Sequence, residues 1–286
     1  KAIILCGGTG SRMFPSTKTT NKQLLPVYDK PMFYYPLSLL MLIGIKNFLF
    51  IINKGQKENF LKSIGSSNDL GIKIQFKEQN KPNGLPEAFI LGEEFIGKDS
   101  VLMILGDNFF YGNMLTPVIK KTLSIKSGAN IYLYQSKNTS AYGVVELKKN
   151  GKINKIIEKP IFTKSNLVIT GMYIFDNNVV KYAKKLIPSK RNELEMVDLI
   201  NIYKKKKNLN LVKLGRGSAW LDVGNYDDLF NASSFIKNIE DRQDYKIGCV
   251  EEIALNNKWI NKHNIKNRIK FNRNSNYSKY LSGLIK

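Results

Sequence analysis

Short apolar runs rich in β-branched residues alternate with helically spaced segments along the first third of the chain, and this alternation sets the fold class. The runs lie at residues 2–6, 48–52, 72–76 and 101–105; the intervening helical patterns fall at 33–42, 56–64 and 86–95. Strands apolar throughout must be covered on both faces, so the alternation predicts a parallel sheet flanked by helices. Such sheets bind ligands beyond the carboxyl ends of their strands. Whatever follows each strand is therefore where function is to be sought.

Beyond residue 130 the pattern changes. Short strands are expected at 130–135, 144–147 and 153–157, with Lys149-Asn150-Gly151 as a hairpin-type turn. Another strand is expected at 168–175, helices at 178–186 and 194–203, and a strand at 209–214. Asn225 is placed to cap a helix over 226–239, with Asp227 and Asp228 favourable in its first turn. Along that helix Tyr226, Leu229, Phe230, Ser233 and Ile236 are expected to share a face. The expected division is an α/β domain over 1–240 and a C-terminal helical extension over 241–286, with no internal repeat.

Composition narrows the chemistry. The two cysteines, Cys6 and Cys249, are far apart, which excludes a disulfide scaffold and a Cys-based zinc ribbon. His263 is the one histidine and lies in a polar C-terminal stretch, so histidine-dependent triads and His-rich metal sites are set aside. Carboxylates, Lys, Arg and backbone remain. The formal charge of +22 fits a nucleic-acid binder, a membrane-surface protein, an enzyme for polyanionic small molecules, or a proteome-wide bias. Residues 253–286 carry eight basic side chains and no acidic one, read here as a solvated basic face. No nucleic-acid motif accompanies the charge, so no nucleic-acid partner is expected. No apolar run reaches the ~20 residues of a membrane helix, and the chain opens into an apolar strand without a signal-peptide pattern. A soluble, cytoplasmic protein with no membrane partner is expected.

The first strand ends in Cys6-Gly7-Gly8-Thr9-Gly10-Ser11-Arg12. Glycines so spaced let backbone N–H groups turn toward a phosphate, and Arg12 can add charge; a plain tight turn is the competing reading. The P-loop pattern fails because Arg12 stands where its second glycine belongs, and the Rossmann fingerprint fails at Met13. Lys22, in Asn21-Lys22-Gln23-Leu24-Leu25-Pro26, is either a surface lysine or within reach of that loop. Asp107, in Leu105-Gly106-Asp107-Asn108, falls at a strand's carboxyl end, where it either caps a helix or helps hold a cation such as Mg²⁺ with substrate phosphates. Asp222, in Trp220-Leu221-Asp222-Val223-Gly224, is a second such acid or a turn residue. Two aspartates, a glycine loop and several Lys/Arg together describe metal-assisted phosphoryl chemistry.

These blocks resemble the sugar nucleotidyltransferases, most closely the glucose-1-phosphate thymidylyltransferase family. The glycine loop with Pro15, Lys22 to Pro26 and Tyr28-Asp29-Lys30-Pro31-Met32 match its opening. Glu78-Gln79, Asn83-Gly84-Leu85, Leu105 to Asn108, Tyr142-Gly143-Val144-Val145-Glu146 and Glu158-Lys159-Pro160 follow in order. So do Thr170-Gly171-Met172-Tyr173, Glu193-Leu194-Glu195, Gly215-Arg216-Gly217 and Trp220-Leu221-Asp222. The resemblance implies a Rossmann-like, GT-A-like mixed sheet, mainly parallel, with small β additions and a C-terminal helical extension.

It further implies condensation of dTTP with α-D-glucose 1-phosphate to dTDP-glucose and pyrophosphate, the first step of dTDP-L-rhamnose-type deoxysugar synthesis. A UTP-dependent sugar-1-phosphate uridylyltransferase and a non-catalytic nucleotide sensor are the alternatives. By the same resemblance Gly7, Gly8, Gly10, Ser11 and Arg12 hold the triphosphate, and Gln79, Gly84 and Gln23 lie at the thymine. Asp107 and Asp222 hold Mg²⁺, with Asn108 beside them. Lys22 and Arg12 stabilise charge at the α-phosphorus and on pyrophosphate. Lys159 orients the sugar phosphate, and Gly143, Glu158, Thr170, Gly171 and Tyr173 line the sugar pocket. A homotetramer is implied, with end-product feedback at a second site near Arg242, Gly248, Glu251 and Trp259. The chain departs from the family pattern at Cys6, usually Ala, at Asn192, usually Gly, and at Pro86-Glu87, where a small residue and Gln are usual.

Overall fold

The structure, a computed structural model, describes residues 1–270 and 274–286. Arg273, one of the C-terminal basic residues counted above, lies outside the described residues. The strands, in chain order, are β1 (Ala2–Cys6), β2 (Pro26–Val27), β3 (Lys30–Pro31), β4 (Asn47–Asn53), β5 (Lys73–Gln79), β6 (Val101–Leu105) and β7 (Asn108–Tyr111). Then come β8 (Ala129–Gln135), β9 (Val144–Leu147), β10 (Ile153–Ile157), β11 (Leu167–Phe175), β12 (Leu209–Lys213) and β13 (Ala219–Asp222).

β5, β4, β1 and β6 run parallel, with Ile4 opposite both Phe50 and Ile104. The sheet turns mixed at β11, which pairs antiparallel with β6, β8 and β9; β12 joins β8 in parallel and β10 closes a hairpin with β9. The strands of the parallel half are apolar because both faces are covered. One face of the sheet packs Ile4, Phe50, Ile104 and Met172 against Phe33, Leu37 and Phe60. The other packs Ile3, Leu49, Met103 and Phe175 against Phe89, Val179 and Leu199. The expected mixed, helix-flanked sheet is present, and the Lys148–Lys152 turn closes its hairpin as read.

Three expectations are corrected. The run at 72–76 belongs to an edge strand, paired with β4 alone among the described residues: Ile74 and Phe76 are half-buried against the core, Lys73, Gln75, Lys77 and Glu78 are exposed, and Gln79 is buried. The helix expected at 86–95 is two short helices, Glu87–Leu91 and Glu93–Ile96, hinged at Gly92 where the chain presses on Ile3 and Leu49. On the helix Tyr226–Gln243 the buried stripe is Ala232, Ile236 and Glu240, whereas Tyr226 and Phe230 are exposed. The Tyr226 hydroxyl donates to Met13 O at 2.7 Å.

Among the described residues the segment after residue 247 forms the helices Val250–Asn256, Lys262–Ile269 and Asn276–Leu284. Val250, Ile253 and Ala254 join the main core, which ties this extension to the α/β body. Among the described residues no helix is long and apolar enough to cross a membrane.

Candidate active site

β1 and β6 end side by side, so the segments after them share one crevice. Asn21 anchors the turn after the glycine loop: its Nδ2 donates to Cys6 O at 3.0 Å, and its Oδ1 accepts from Gln23 N at 3.0 Å. That turn points Lys22 inward, where its Nζ donates to Asp107 Oδ2 at 2.7 Å while only 8% of the side chain is exposed. Of the two readings of Lys22, the surface one is therefore excluded.

Asp222 arrives from the far end of the chain on a two-stranded ribbon. β7 and β13 pair antiparallel and set Asp222 opposite Asn108. The Asn108 Nδ2 donates to Asp107 Oδ1 and to Asp222 Oδ1, both at 3.1 Å. Its Oδ1 accepts from Trp220 Nε1 at 2.7 Å and from Gly171 N at 3.0 Å. One buried amide thus fastens both carboxylates, the ribbon and β11 together. The register of β11 against β8 shifts between Ile169 and Tyr173, and this irregularity frees Gly171 N for Asn108.

Burial pushes the Asp222 carboxyl up to about 7, with the Asp107 charge adding to the effect and Lys22 and Arg12 opposing it. Two carboxylates drawn together by an amide, facing a cavity and incompletely neutralised by nearby cations, form a site suited to a divalent cation. Mg²⁺ typically takes one or two protein carboxylates together with substrate phosphates.

The cavity beside these groups is about 720 Å³. Gly7, Gly8, Arg12, Gln79, Pro82, Gly84 and Leu85 line it, as do Gly143, Glu158, Lys159, Tyr173 and Arg191. Asp107, Asn108, Thr170, Gly171 and Asp222 also line it, whereas Gly10, Ser11, Lys22 and Gln23 do not. Gly10 instead accepts from Thr17 Oγ1 at 2.8 Å, and Ser11 is exposed. Gln23 is buried beneath the loop, its Nε2 donating to Gly7 O at 3.4 Å. The Thr170 hydroxyl donates to Tyr132 O at 3.0 Å, so this residue offers the cavity its backbone and methyl rather than its hydroxyl.

On the cavity wall Glu158 is raised by burial, an effect that Lys159 and Arg191 partly counter. Arg191 was not singled out in the sequence. It forks onto Glu195 (Nη2 to Oε2, 2.7 Å; Nε to Oε1, 3.2 Å) and reaches Glu158 Oε1 at 3.4 Å. It precedes Asn192, whose φ of 57° lies in the left-handed region that the Gly usual at this position would favour. Tyr142 was likewise passed over as a wall residue; its ring packs edge-on to Trp220 at 5.0 Å.

A family model described as "Nucleotidyl transferase" matches residues 1–239. A glucose-1-phosphate thymidylyltransferase of Neisseria meningitidis is 44% identical, the match covering 100% of this chain and 99% of that protein. The chain belongs to the glucose-1-phosphate thymidylyltransferase family. A Mycobacterium tuberculosis enzyme of the same name is 41% identical over 100% of this chain and 99% of its own. Among solved structures, a candidate glucose-1-phosphate thymidylyltransferase from Bacillus anthracis aligns with a TM-score of 0.76 and 36% identity, covering 82% of this chain and 94% of that one. A UDP-glucose pyrophosphorylase bound to UDP-glucose aligns at 0.71 with 22% identity, over 83% of this chain and 98% of that one, a likeness of fold alone. The chain is a nucleotidyltransferase, an enzyme acting on small phosphorylated substrates.

Proposed function

We propose that this enzyme condenses dTTP with α-D-glucose 1-phosphate, giving dTDP-glucose and pyrophosphate, as the entry into deoxysugar synthesis. The observation that carries the reading is the single Asn108 amide joining Asp107 and Asp222 on the cavity wall, with Lys22 on Asp107. The identity of base and sugar is taken from the names of the full-length relatives.

In this reading an ionised phosphate oxygen of the sugar phosphate attacks the α-phosphorus in line. The bond to the bridging oxygen breaks and pyrophosphate leaves with its electron pair. A phosphate monoester is largely dianionic near neutrality, its second pKa being ~6. No general base is required, which suits a cavity walled by carboxylates, Lys and Arg. Asp107 and Asp222 would hold Mg²⁺, which when bound neutralises phosphate charge. Gly7, Gly8 and Arg12 cradle the triphosphate, and Gly10 and Ser11 shape the loop behind it. Lys22 neutralises Asp107 and the α-phosphate. Gln79 and Gly84 meet the base, with Gln23 supporting the loop. Lys159, with Arg191, orients the sugar phosphate, while Gly143, Glu158, Thr170, Gly171 and Tyr173 form the sugar wall.

The reading also includes the 1–240 and 241–286 division and a homotetramer, to be checked by light scattering. A second cavity of about 540 Å³ lies near the C-terminal helices, and of the residues expected at a feedback site only Gly248 lines it. The deciding experiment measures pyrophosphate release with each nucleoside triphosphate and sugar 1-phosphate in turn, with and without Mg²⁺. Turnover should be greatest with dTTP and glucose 1-phosphate and be abolished by chelation; dTTP giving no product refutes the reading. Asp107→Asn and Asp222→Asn should each lower turnover at least ~100-fold.

A further inference from the structure

Gln79 closes β5 with 5% of its surface exposed, and its side chain stands at the cavity wall. Its Nε2 donates to Glu87 Oε2, and Asn83 Nδ2 donates to the other oxygen, Oε1, at 2.7 Å. A carboxylate accepts and never donates, so the half of the Gln79 amide that faces Glu87 must be its nitrogen. The oxygen is thereby turned toward the glycine loop: a β-carbon on Gly7 would stand 2.4 Å from Gln79 Oε1. Nε2 keeps a second hydrogen for another acceptor.

We propose that Glu87 is a positioning residue that sharpens base specificity. By holding the Gln79 amide in one of its two flips, it presents an acceptor flanked by a donor. That pattern suits a pyrimidine whose ring N–H sits beside a carbonyl, namely a 2,4-dioxopyrimidine such as thymine or uracil. Cytosine offers a lone pair at the ring nitrogen and an amino group beside it, so acceptor meets acceptor and donor meets donor. A glutamine at position 87 would lack this property, because an amide satisfies either flip of its partner. The inference deepens the proposed function and rests on Gln79 meeting the base.

The test compares the wild-type enzyme with Glu87→Gln and Asn83→Ala, measuring dissociation constants for dTTP, UTP and dCTP by calorimetry, and kcat and KM for dTTP. Wild type should prefer dTTP over dCTP by at least ~100-fold and treat UTP within ~10-fold of dTTP. Glu87→Gln, which preserves shape, should shrink the dTTP:dCTP preference by ~10-fold or more, with the cost appearing in KM rather than kcat. Asn83→Ala, which leaves the Gln79–Glu87 bond in place, should keep the preference. Equal wild-type binding of dTTP and dCTP overturns the proposal. So does an undiminished preference in Glu87→Gln, or a parallel weakening for both nucleotides, which is what a merely loop-holding Glu87 would give. Selective dTTP binding that narrows in Glu87→Gln, without any pyrophosphate release by wild type, supports this inference while sinking the proposed reaction.

Discussion

Asn108 and Asp222 face each other across an antiparallel ladder although 114 positions separate them, and the Asn108 amide donates to Asp222 Oδ1 at 3.1 Å. The same nitrogen holds Asp107, its neighbour in sequence. The carboxylate pair is thus set by one side chain whose remaining bonds reach Trp220 and Gly171. Position and charge at the proposed metal site are decided together, since moving the amide releases both acids.

Asn108→Leu tests this. The substitution keeps the volume but leaves the Gly171 N–H and the Trp220 indole N–H without their acceptor, at ~1–3 kcal/mol for each group left buried. Urea unfolding should show a loss of roughly 2–6 kcal/mol, and turnover should fall as far as in Asp107→Asn. Native stability in this variant would mean that the β7–β13 ladder alone fixes Asp222.

The pH dependence of the metal-free protein carries a sign that can be worked out. Asp222 titrates at about 7 in the fold, raised by burial and then by the Asp107 charge, against ~3.9 in an unfolded chain. Between those values the native state holds the extra proton, so this group's contribution to stability is present at low pH and declines as pH rises through the window. Asp222→Asn removes that decline. In EDTA, the melting temperature of Asp222→Asn should gain on wild type from pH 5 to pH 8, and Mg²⁺ should narrow the difference at pH 8. A gap that stays constant across the range would contradict the raised carboxyl.

Gly171→Ala is expected to act on the carboxylates at second hand. A β-carbon there would sit 2.4 Å from Asn108 Oδ1 and 2.7 Å from Leu105 Cδ1, and both are packed in place. Overpacking of this kind costs typically ~1–3 kcal/mol, and it pushes Asn108 off both acids. Turnover should drop while dTTP affinity measured without metal changes little; the reverse pattern would assign Gly171 to nucleotide binding.

The parallel half of the sheet was legible because its strands are buried on both faces and so carry unbroken apolar runs. The glycine loop and Asp107 were legible because they follow such strands directly. The β7–β13 ribbon was not: Asn108–Tyr111 and Ala219–Asp222 are short, and their pairing is a tertiary event that local spacing does not encode. Without it Asp222 could be read as a second acid of the same site or as a turn residue, and the pairing with Asn108 that fixes it was not legible. On the helix Tyr226–Gln243 the shared face was legible but its burial was not: the core takes Ala232 and Ile236, while Tyr226 and Phe230 are exposed. Arg191 stayed hidden because its cavity position depends on the left-handed Asn192 and on Leu194 N donating to Asn83 O at 2.7 Å.

Arg191 supplies the last prediction. It lies among Glu158, Glu193 and Glu195, and with Lys159 it offsets carboxylate charge where the sugar phosphate is proposed to sit. Arg191→Ala leaves Glu158 with one cation fewer, so its carboxyl, already raised by burial, moves further up, and an approaching phosphate meets more negative charge. KM for glucose 1-phosphate should rise ~10-fold or more, KM for dTTP should hold, and stability should change little because the side chain is 42% exposed. Arg191→Lys keeps the charge but loses the forked bond to Glu195, so it should fall between wild type and alanine. If KM for dTTP rises instead and that for the sugar phosphate is unmoved, Arg191 serves the nucleotide end of the cavity and the orientation of the two substrates must be reversed.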